Sequence, residues 1–201
     1  AYEILRCLVG LEMCIRDSYT RLINKEYPLP PDYVPPDLID IGLPFDCAPG
    51  NPKRLLEKRT AYAARELICR GQHEGISLCC ISGYRSYDRQ KELFRGSSYV
   101  AAPGTSEHQS GLALDLSSPS VQMKLTEKFG DTPEGHWLAS HASFYGFILR
   151  YPFGKEDITR YPYEPWHIRF VTRTLAIYLT KTGMTLDEYY TIQKKDCTMT
   201  V

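Results

Sequence analysis

Apolar residues recur along the chain in two patterns, and each pattern predicts a different kind of element. Across residues 52–74 the apolar spacing follows a helical period. The expected buried face of that helix carries Leu55, Leu56, Tyr62, Ala63, Leu67 and Ile68. Four shorter apolar runs predict strands. These runs are ISLCCISGY, LALDLS, FILRYP and WHIRFV.

Residues that favour helix ends divide the pattern further. Ser86 is a candidate cap for a helix that begins YDRQKELF. Thr132, followed by a proline, predicts the start of another helix, and Gly146 predicts its end. The last helix opens with a capping box from Thr185 to Glu188. Helices mixed with centrally placed strands predict an α+β fold, with helices packed on a small, mostly antiparallel sheet.

The length of 201 residues suits a single domain, which we expect to span residues 19–201. Residues 19–50 are rich in proline, which blocks helices and strand pairing, so they predict an extended arm that wraps the domain. Residues 1–18 have an apolar middle interrupted by Arg6 and Glu12, which makes a poor signal peptide. We expect this segment to be a non-native or unstructured tail.

Composition excludes several classes of partner and site. Lys+Arg and Asp+Glu both number 24, so nothing indicates a nucleic-acid or anionic-membrane partner. No stretch is long and apolar enough to span a bilayer. The seven cysteines are odd in number and form no CxxC pair, which predicts neither a disulfide framework nor a cysteine zinc site.

Two short motifs carry candidate chemistry. In SEHQSGLALD, His108 precedes Asp115 by seven positions, and in YEPWHIR, Glu164 precedes His167 by three. A catalytic zinc site takes three protein ligands and leaves a fourth position for water. A loop histidine, an aspartate on the following strand and a histidine at the start of another strand would supply such a set.

Other polar residues suit the same chemistry. Glu164 would serve as general base if it lay beside the metal without ligating it. Arg85, at the end of a predicted strand, could bind a carboxylate or a developing oxyanion with paired donors, and Ser106 is close enough to His108 to line the same pocket. Taken singly, each residue has an ordinary explanation, such as a surface ion pair for Arg85 or a solvated loop charge for Glu164. No role is expected for the remaining histidines, His73, His136 and His141.

The motifs together resemble a known family. SGYRSYDRQKELF, PGTSEHQSGLALDL, EGHWLASHASFYGFILRYPFGKEDIT and YEPWHIRFV occur in the order seen in VanY-type D-alanyl-D-alanine carboxypeptidases. These belong to a wider group of zinc peptidases that includes lysostaphin-type enzymes and the hedgehog signalling domain. The resemblance covers about residues 20–182. It implies a central antiparallel sheet, one zinc ion on His108, Asp115 and His167, and Glu164 as catalytic base.

The same resemblance implies roles for substrate-binding residues. It gives Arg85 contact with the substrate and stabilisation of the transition state, and it places Ser106 and Gln90 in the pocket that contacts the terminal residue. The chain departs from the family pattern at Arg160, near which relatives usually have a glycine, and at Thr172, where glycine is common. Pro162 is a further departure, and all these positions lie off the metal set.

The expected reaction is hydrolysis of the C-terminal D-alanine of a peptidoglycan stem peptide, by a D,D- or an L,D-carboxypeptidase. Two alternatives stay open: a zinc-containing peptidoglycan-binding module without turnover, and an endopeptidase that cuts within the stem peptide. The substrate class implies the bacterial cell envelope or the extracellular space. A cytoplasmic location is the alternative because the sequence shows no convincing export signal. We expect a monomer.

Overall fold

The computed structural model describes residues 18–94 and 100–198. Its central sheet has four antiparallel strands in the spatial order β3–β4–β6–β5. They are β3 (Cys79–Ser82), β4 (Ala113–Ser117), β5 (Phe147–Leu149) and β6 (His167–Phe170). A separate antiparallel ribbon pairs β1 (Leu38–Ile39) with β2 (Leu56–Glu57). The predicted α+β class is confirmed, and each of the four apolar runs contains a strand.

The described residues contain six α-helices. They are α1 (Lys58–His73), α2 (Tyr87–Leu93), α3 (Pro133–His141), α4 (Glu156–Thr159), α5 (Arg173–Thr182) and α6 (Leu186–Thr198). Ser86 and Thr132 cap their helices by accepting a backbone N–H, at 3.2 and 3.1 Å. The capping box is also present, because Thr185 and Glu188 bond each other's backbone N–H at 3.1 and 2.8 Å. These cap predictions are confirmed.

The prediction of one helix over residues 52–74 was partly wrong. Pro52–Arg54 form a 3-10 turn, β2 follows, and α1 begins only at Lys58. The cause is not local: the Lys53 and Leu55 carbonyls accept hydrogen bonds from the N–H groups of Gly83 and Tyr84, at 2.7 Å each. Backbone groups bonded to a neighbouring segment are not free to continue a helix.

The later start of α1 also changes its buried face. Leu67 and Ile68 are buried as expected, but Leu55 and Leu56 precede the helix and Tyr62 is 41% exposed. The side of α1 that packs in the core is formed by Thr60, Ala61, Ala64, Leu67, Ile68 and Gly71. The helix predicted to end at Gly146 differs as well. Helix α3 ends at His141, and a 3-10 turn, Ala142–Tyr145, leads to Gly146 at φ 87°.

Strands β4 and β6 carry core residues on one face and candidate site residues on the other. Side chains alternate between the two faces of a strand. The core face, covered by α1 and α3, carries Leu114, Leu116, Ile168 and Phe170. The opposite face carries Asp115, His167 and Arg169. Asp115 and His167 are direct cross-strand partners, so the register brings them together.

A register irregularity in β3 redirects one further side chain. Cys80 pairs with Leu116 and packs in the core, whereas Ser82 pairs with Asp115, with a shift between the two. Such a bulge turns the next side chain towards the other face. Ser82 therefore lies on the same side of the sheet as Asp115, where its hydroxyl accepts a hydrogen bond from Arg85.

Residues 19–50 run along the domain in extended conformation apart from turns and β1. Four of their apolar side chains are buried, namely Leu22, Ile23, Leu29 and Leu43. The buried Arg54 bonds Asp40 at 2.7 Å, and the Gln109 amide donates to the carbonyls of Pro30 and Tyr33 at 2.9 and 3.2 Å. These contacts fix this arm against the rest of the chain.

Three further sequence predictions concern the N-terminal segment, the cysteines and membrane spans. The expectation for residues 1–18 falls outside the described residues except for Ser18, which begins a 3-10 turn. The thiols of Cys47, Cys69, Cys79 and Cys80 are free. Among the helices of the described segments, none combines the length and the apolar character needed to cross a bilayer.

Four described residues other than glycine have positive φ, a conformation that favours glycine, and two of them lie where the chain departs from the family pattern. Arg160 has φ 61° and Thr172 has φ 85°. The family resemblance leads us to expect a glycine near Arg160 and at Thr172. Positive φ is most costly for a β-branched residue such as threonine. Thr172 therefore stores strain between β6 and α5.

We expect Thr172→Gly to raise the free energy of unfolding by about 1 kcal/mol. The strained conformation costs about 1–3 kcal/mol, and the extra freedom of glycine in the unfolded chain offsets part of the gain. The matched control is Thr174→Gly in α5, which should lower stability by about 0.5–1 kcal/mol. Urea unfolding of both variants measures the difference. Equal destabilisation by the two changes would contradict the strain at Thr172.

Candidate metal centre

His108 is held in one orientation by the backbone. It lies in a 3-10 turn, Glu107–Ser110, which ends at Gly111 with φ 69° and leads into β4. Its Nδ1 is 2.7 Å from the carbonyl oxygen of Gly83. A carbonyl only accepts hydrogen bonds, so Nδ1 carries the proton and Nε2 keeps its lone pair. That Nε2 faces Asp115 Oδ2 at 3.1 Å.

His167 reaches the same carboxylate from the neighbouring strand. Its Nδ1 is 2.9 Å from Asp115 Oδ1, while its Nε2 is 3.5 Å from Glu107 Oε2. The rings of His108 and His167 meet edge to face, with centroids 5.0 Å apart. Both imidazoles and the carboxylate are buried.

The three predicted ligands therefore come together, and their chemistry fits a zinc ion. Each of His108, Asp115 and His167 offers one donor atom, and the three donors lie within 4.8 Å of one another. Two imidazole nitrogens and one carboxylate oxygen are donors that zinc commonly takes in proteins. The backbone bond to Gly83 and the contact with Glu107 occupy the outer ring nitrogens, as is usual for metal-binding histidines.

The protonation states of His108 and Asp115 favour metal binding, whereas at His167 a metal ion has to displace a proton. Burial lowers the pKa of His108, which favours the neutral imidazole that a metal requires. Burial alone would raise the pKa of Asp115, but His108 and His167 hold it well below its ordinary value. Burial opposes the charged form of His167 too, yet hydrogen bonds to Asp115 and Glu107 raise its pKa to about 9. A metal ion at Nδ1 would take the place of that proton.

Glu164 stands beside the donor cluster. Its Oε2 is 4.0 Å from His167 Nδ1, and a tight turn holds it there, with His167 N–H donating to the Glu164 carbonyl at 3.1 Å. The Tyr151 carbonyl accepts from the Glu164 N–H at 3.0 Å. Burial raises the pKa of Glu164 to about 7. A carboxyl group with that pKa exchanges a proton readily near neutral pH.

Arg85 reaches the site from the end of β3. Its guanidinium donates to Gln90 Oε1 at 2.9 Å and to Ser82 Oγ at 3.1 Å, and lies 4.0 Å from Asp115 Oδ2. Gln90 is 1% exposed, and its amide nitrogen donates to the Ala101 carbonyl at 2.6 Å. Gln90 thus lies behind Arg85 with both ends of its amide bonded.

A cavity of about 260 Å³ lies at the donor cluster, and neither Ser82 nor Gln90 lines it. Arg85, Ser106, Glu164 and the three candidate ligands line it, together with Tyr151, Tyr161 and Trp166. Ser106 is thus among the lining residues, and its side chain makes no capping bond in its own turn. A larger groove, about 710 Å³, lies between the arm and α6, but none of the predicted site residues lines it. The smaller cavity is the candidate site because of the residues that line it, and not because of its size.

Glu107 is the site residue that sequence reasoning missed. It sits between the predicted Ser106 and His108, yet it is buried and contacts His167. Its partners are Arg150 and Arg169, at 2.7 Å each. A signal was present, because both arginines interrupt apolar runs that predict strands. A buried cation requires an anion, and Glu107 supplies it.

The sheet, the cluster of two imidazoles and a carboxylate, and the adjacent carboxyl group define a metallopeptidase site. The chain belongs to the VanY family, described as D-alanyl-D-alanine carboxypeptidase, whose model matches residues 53–173. It is 44% identical to YodJ of Bacillus subtilis (strain 168) over 189 residues. That match covers 89% of this chain and 69% of YodJ.

Solved structures give the same result. The LD-carboxypeptidase LdcB matches with a TM-score of 0.81 and 44% identity, over 84% of each chain. A mutant of the vancomycin-resistance D,D-pentapeptidase VanY, in complex with Zn(II), matches with a TM-score of 0.70 and 27% identity. It covers 87% of this chain and 99% of the other. The family and the fold expected from the sequence are confirmed.

We expect the protein to bind one zinc ion, and Asp115→Ala to weaken binding by at least about 100-fold, because one of three ligands is lost. Isothermal titration calorimetry with zinc chloride measures stoichiometry and affinity. Asp131→Ala, which removes an exposed aspartate, is the control and should bind like the wild type. Equal affinity in both variants would remove Asp115 from the ligand set.

Proposed function

We propose that the protein is a zinc-dependent carboxypeptidase that hydrolyses the C-terminal D-alanine from peptidoglycan stem peptides. The observation that carries the proposal is the donor cluster of His108, Asp115 and His167, with Glu164 4.0 Å from His167 Nδ1. Arg85 lines the same cavity. Membership of the VanY family and the likeness to LdcB support this substrate class.

A zinc ion held by the three ligands supplies Lewis acidity, which polarises a carbonyl group and makes a water molecule more acidic. Glu164 is the general base: its carboxylate takes the proton from the attacking water. The water oxygen bonds to the scissile carbonyl carbon and the C–N bond breaks. Glu164 then passes the proton to the leaving amine, which departs as D-alanine.

Arg85 is the residue best placed to bind the negative charge of the substrate. Its hydrogen-bond partners, Ser82 and Gln90, are neutral acceptors, and the Asp115 carboxylate lies at 4.0 Å, where it also contacts His108 and His167. A guanidinium in this state binds a terminal carboxylate or stabilises an oxyanion. Ser106 adds a hydroxyl donor on the cavity wall. Gln90 contributes by fixing Arg85, since its amide is bonded at both ends.

The proposal also specifies which peptide bond of the stem peptide is cleaved. A D,D-carboxypeptidase releases D-alanine from the pentapeptide, and an L,D-carboxypeptidase releases it from the tetrapeptide. LdcB, an LD-carboxypeptidase, is more similar to this chain than the D,D-pentapeptidase VanY. This difference favours the tetrapeptide as substrate. The proposed place of action is the bacterial cell envelope or extracellular space, with the protein acting as a monomer.

Product analysis tests the proposal directly. We expect the protein to convert tetrapeptide stems to tripeptide plus free D-alanine, with a slower reaction or none on pentapeptide stems. Mass spectrometry of the products identifies the bond. A chelator should abolish the reaction and added zinc should restore it. Internal cleavage would indicate an endopeptidase instead, and zinc binding without any product would indicate a binding module.

We expect Glu164→Gln to lower kcat by about 10²–10⁴-fold, because the amide cannot accept the proton of water. Zinc affinity should stay at the wild-type value, since Glu164 is not a ligand. Steady-state kinetics and a zinc titration measure the two effects. The exposed Glu127→Gln is the matched control and should leave both unchanged. Wild-type turnover by Glu164→Gln would require another base.

A further inference from the structure

A cluster of four buried charges lies directly behind His167. Glu107 Oε1 accepts from Arg150 Nε at 2.7 Å and from Arg169 Nη1 at 2.7 Å. Arg150 also binds Asp187 of α6, with Nη1 2.5 Å from Oδ2. The side chains of Glu107, Arg150 and Arg169 are fully buried. Two anions and two cations make the cluster electrically neutral.

The cluster touches the metal centre through one atom. Glu107 Oε1 is used by the two arginines, and the other oxygen, Oε2, is 3.5 Å from His167 Nε2. On the same ring, Nδ1 faces Asp115 at 2.9 Å. The ring of His167 is therefore held at both nitrogens, and two carboxylates set its plane.

The cluster also extends to both ends of the described chain. Arg169 Nη2 donates to the backbone carbonyls of Tyr19 and Arg21, at 3.0 and 2.8 Å. Asn24 donates to Asp187 Oδ1 at 2.9 Å. The arm and α6 thus meet at the charges that hold Glu107.

Stability alone does not account for this arrangement. Removing charges from water is costly, and apolar packing of the same volume often stabilises a protein as well as a buried ion pair does. Groups behind a metal ligand, by contrast, commonly change metal affinity by about 10–100-fold when altered. The cluster lies behind His167, which is the position from which it can influence metal affinity.

We propose that Glu107 is a positioning residue for His167, and that Arg150 and Arg169 hold Glu107 in place. The arm and α6 thereby contribute to zinc affinity, although neither supplies a ligand. The inference rests on the proposed function in one respect, namely that His167 ligates zinc through Nδ1. The Glu107 carboxylate accepts the Nε2–H and directs the opposite lone pair at the ion.

The test measures zinc affinity and ligand geometry in two variants of Glu107. Glu107→Gln removes the charge, and its amide cannot accept from both arginines and from His167 at once. Glu107→Gln alone leaves a buried cation unpaired. The second variant therefore combines Glu107→Gln with Arg169→Met. In that double variant Arg150 stays paired with Asp187, and the buried charges again sum to zero. Circular dichroism verifies folding.

We expect both variants to bind zinc about 10–100-fold more weakly in competition with a chromophoric chelator. The visible absorption bands of the cobalt-loaded protein should also shift, because these bands report ligand geometry. Asp187→Asn, which cuts the far end of the cluster, should shift both readouts in the same direction by a smaller amount. If the Glu107 variants fail to fold, the zinc affinity and cobalt spectrum of Asp187→Asn test the inference in their place.

Asp40→Asn is the matched control. It breaks the ion pair with the buried Arg54, which ties the arm to the domain but contacts no candidate ligand. Its thermal stability should fall while zinc affinity and the cobalt spectrum stay unchanged. Folded Glu107 variants with wild-type affinity and spectrum would overturn the inference. A wild-type protein that binds no zinc would instead refute the proposed function.

Discussion

The pairing of Asp115 with His167 across two adjacent strands is the constraint on which the site depends. Their neighbours, Leu114 and Ile168, point to the opposite face and pack in the core. A slip of one residue would place the charged groups in the core and the apolar ones at the site. The free energy of burying the core side chains therefore also holds the two candidate ligands in register.

A sheet face that carries charged residues must be covered by groups that satisfy them. Arg169, two positions beyond His167, lies on this face with no exposed side-chain area. Glu107 compensates its charge, and the arm contributes backbone carbonyls. The arm is thus more than a covering of apolar surface, because it completes the hydrogen bonding of a buried cation next to the site.

Features that depend on neighbouring residues were predictable from the sequence, and features that depend on distant ones were not. The caps at Ser86 and Thr132 are local signals, and so are the apolar runs of the strands. The start of α1 depends on backbone bonds to Gly83 and Tyr84, which no local pattern reveals. Glu107 was missed for the same reason, since its partners lie 43 and 62 positions away. The proposed ligands were identifiable because their spacing forms a motif.

Arginines in this protein serve two purposes, and their partners distinguish them. Arg150 is bonded by the carboxylates of Glu107 and Asp187, which raise its pKa although burial opposes the charge. Arg85 is oriented by the neutral groups of Ser82 and Gln90, and burial lowers its pKa. The donors of Arg150 are used by these carboxylates, and the paired charges attract an anionic ligand only weakly. Arg85 makes no carboxylate hydrogen bond, lies 4.0 Å from Asp115 Oδ2 and lines the cavity, so an anionic substrate group gains more there than at Arg150.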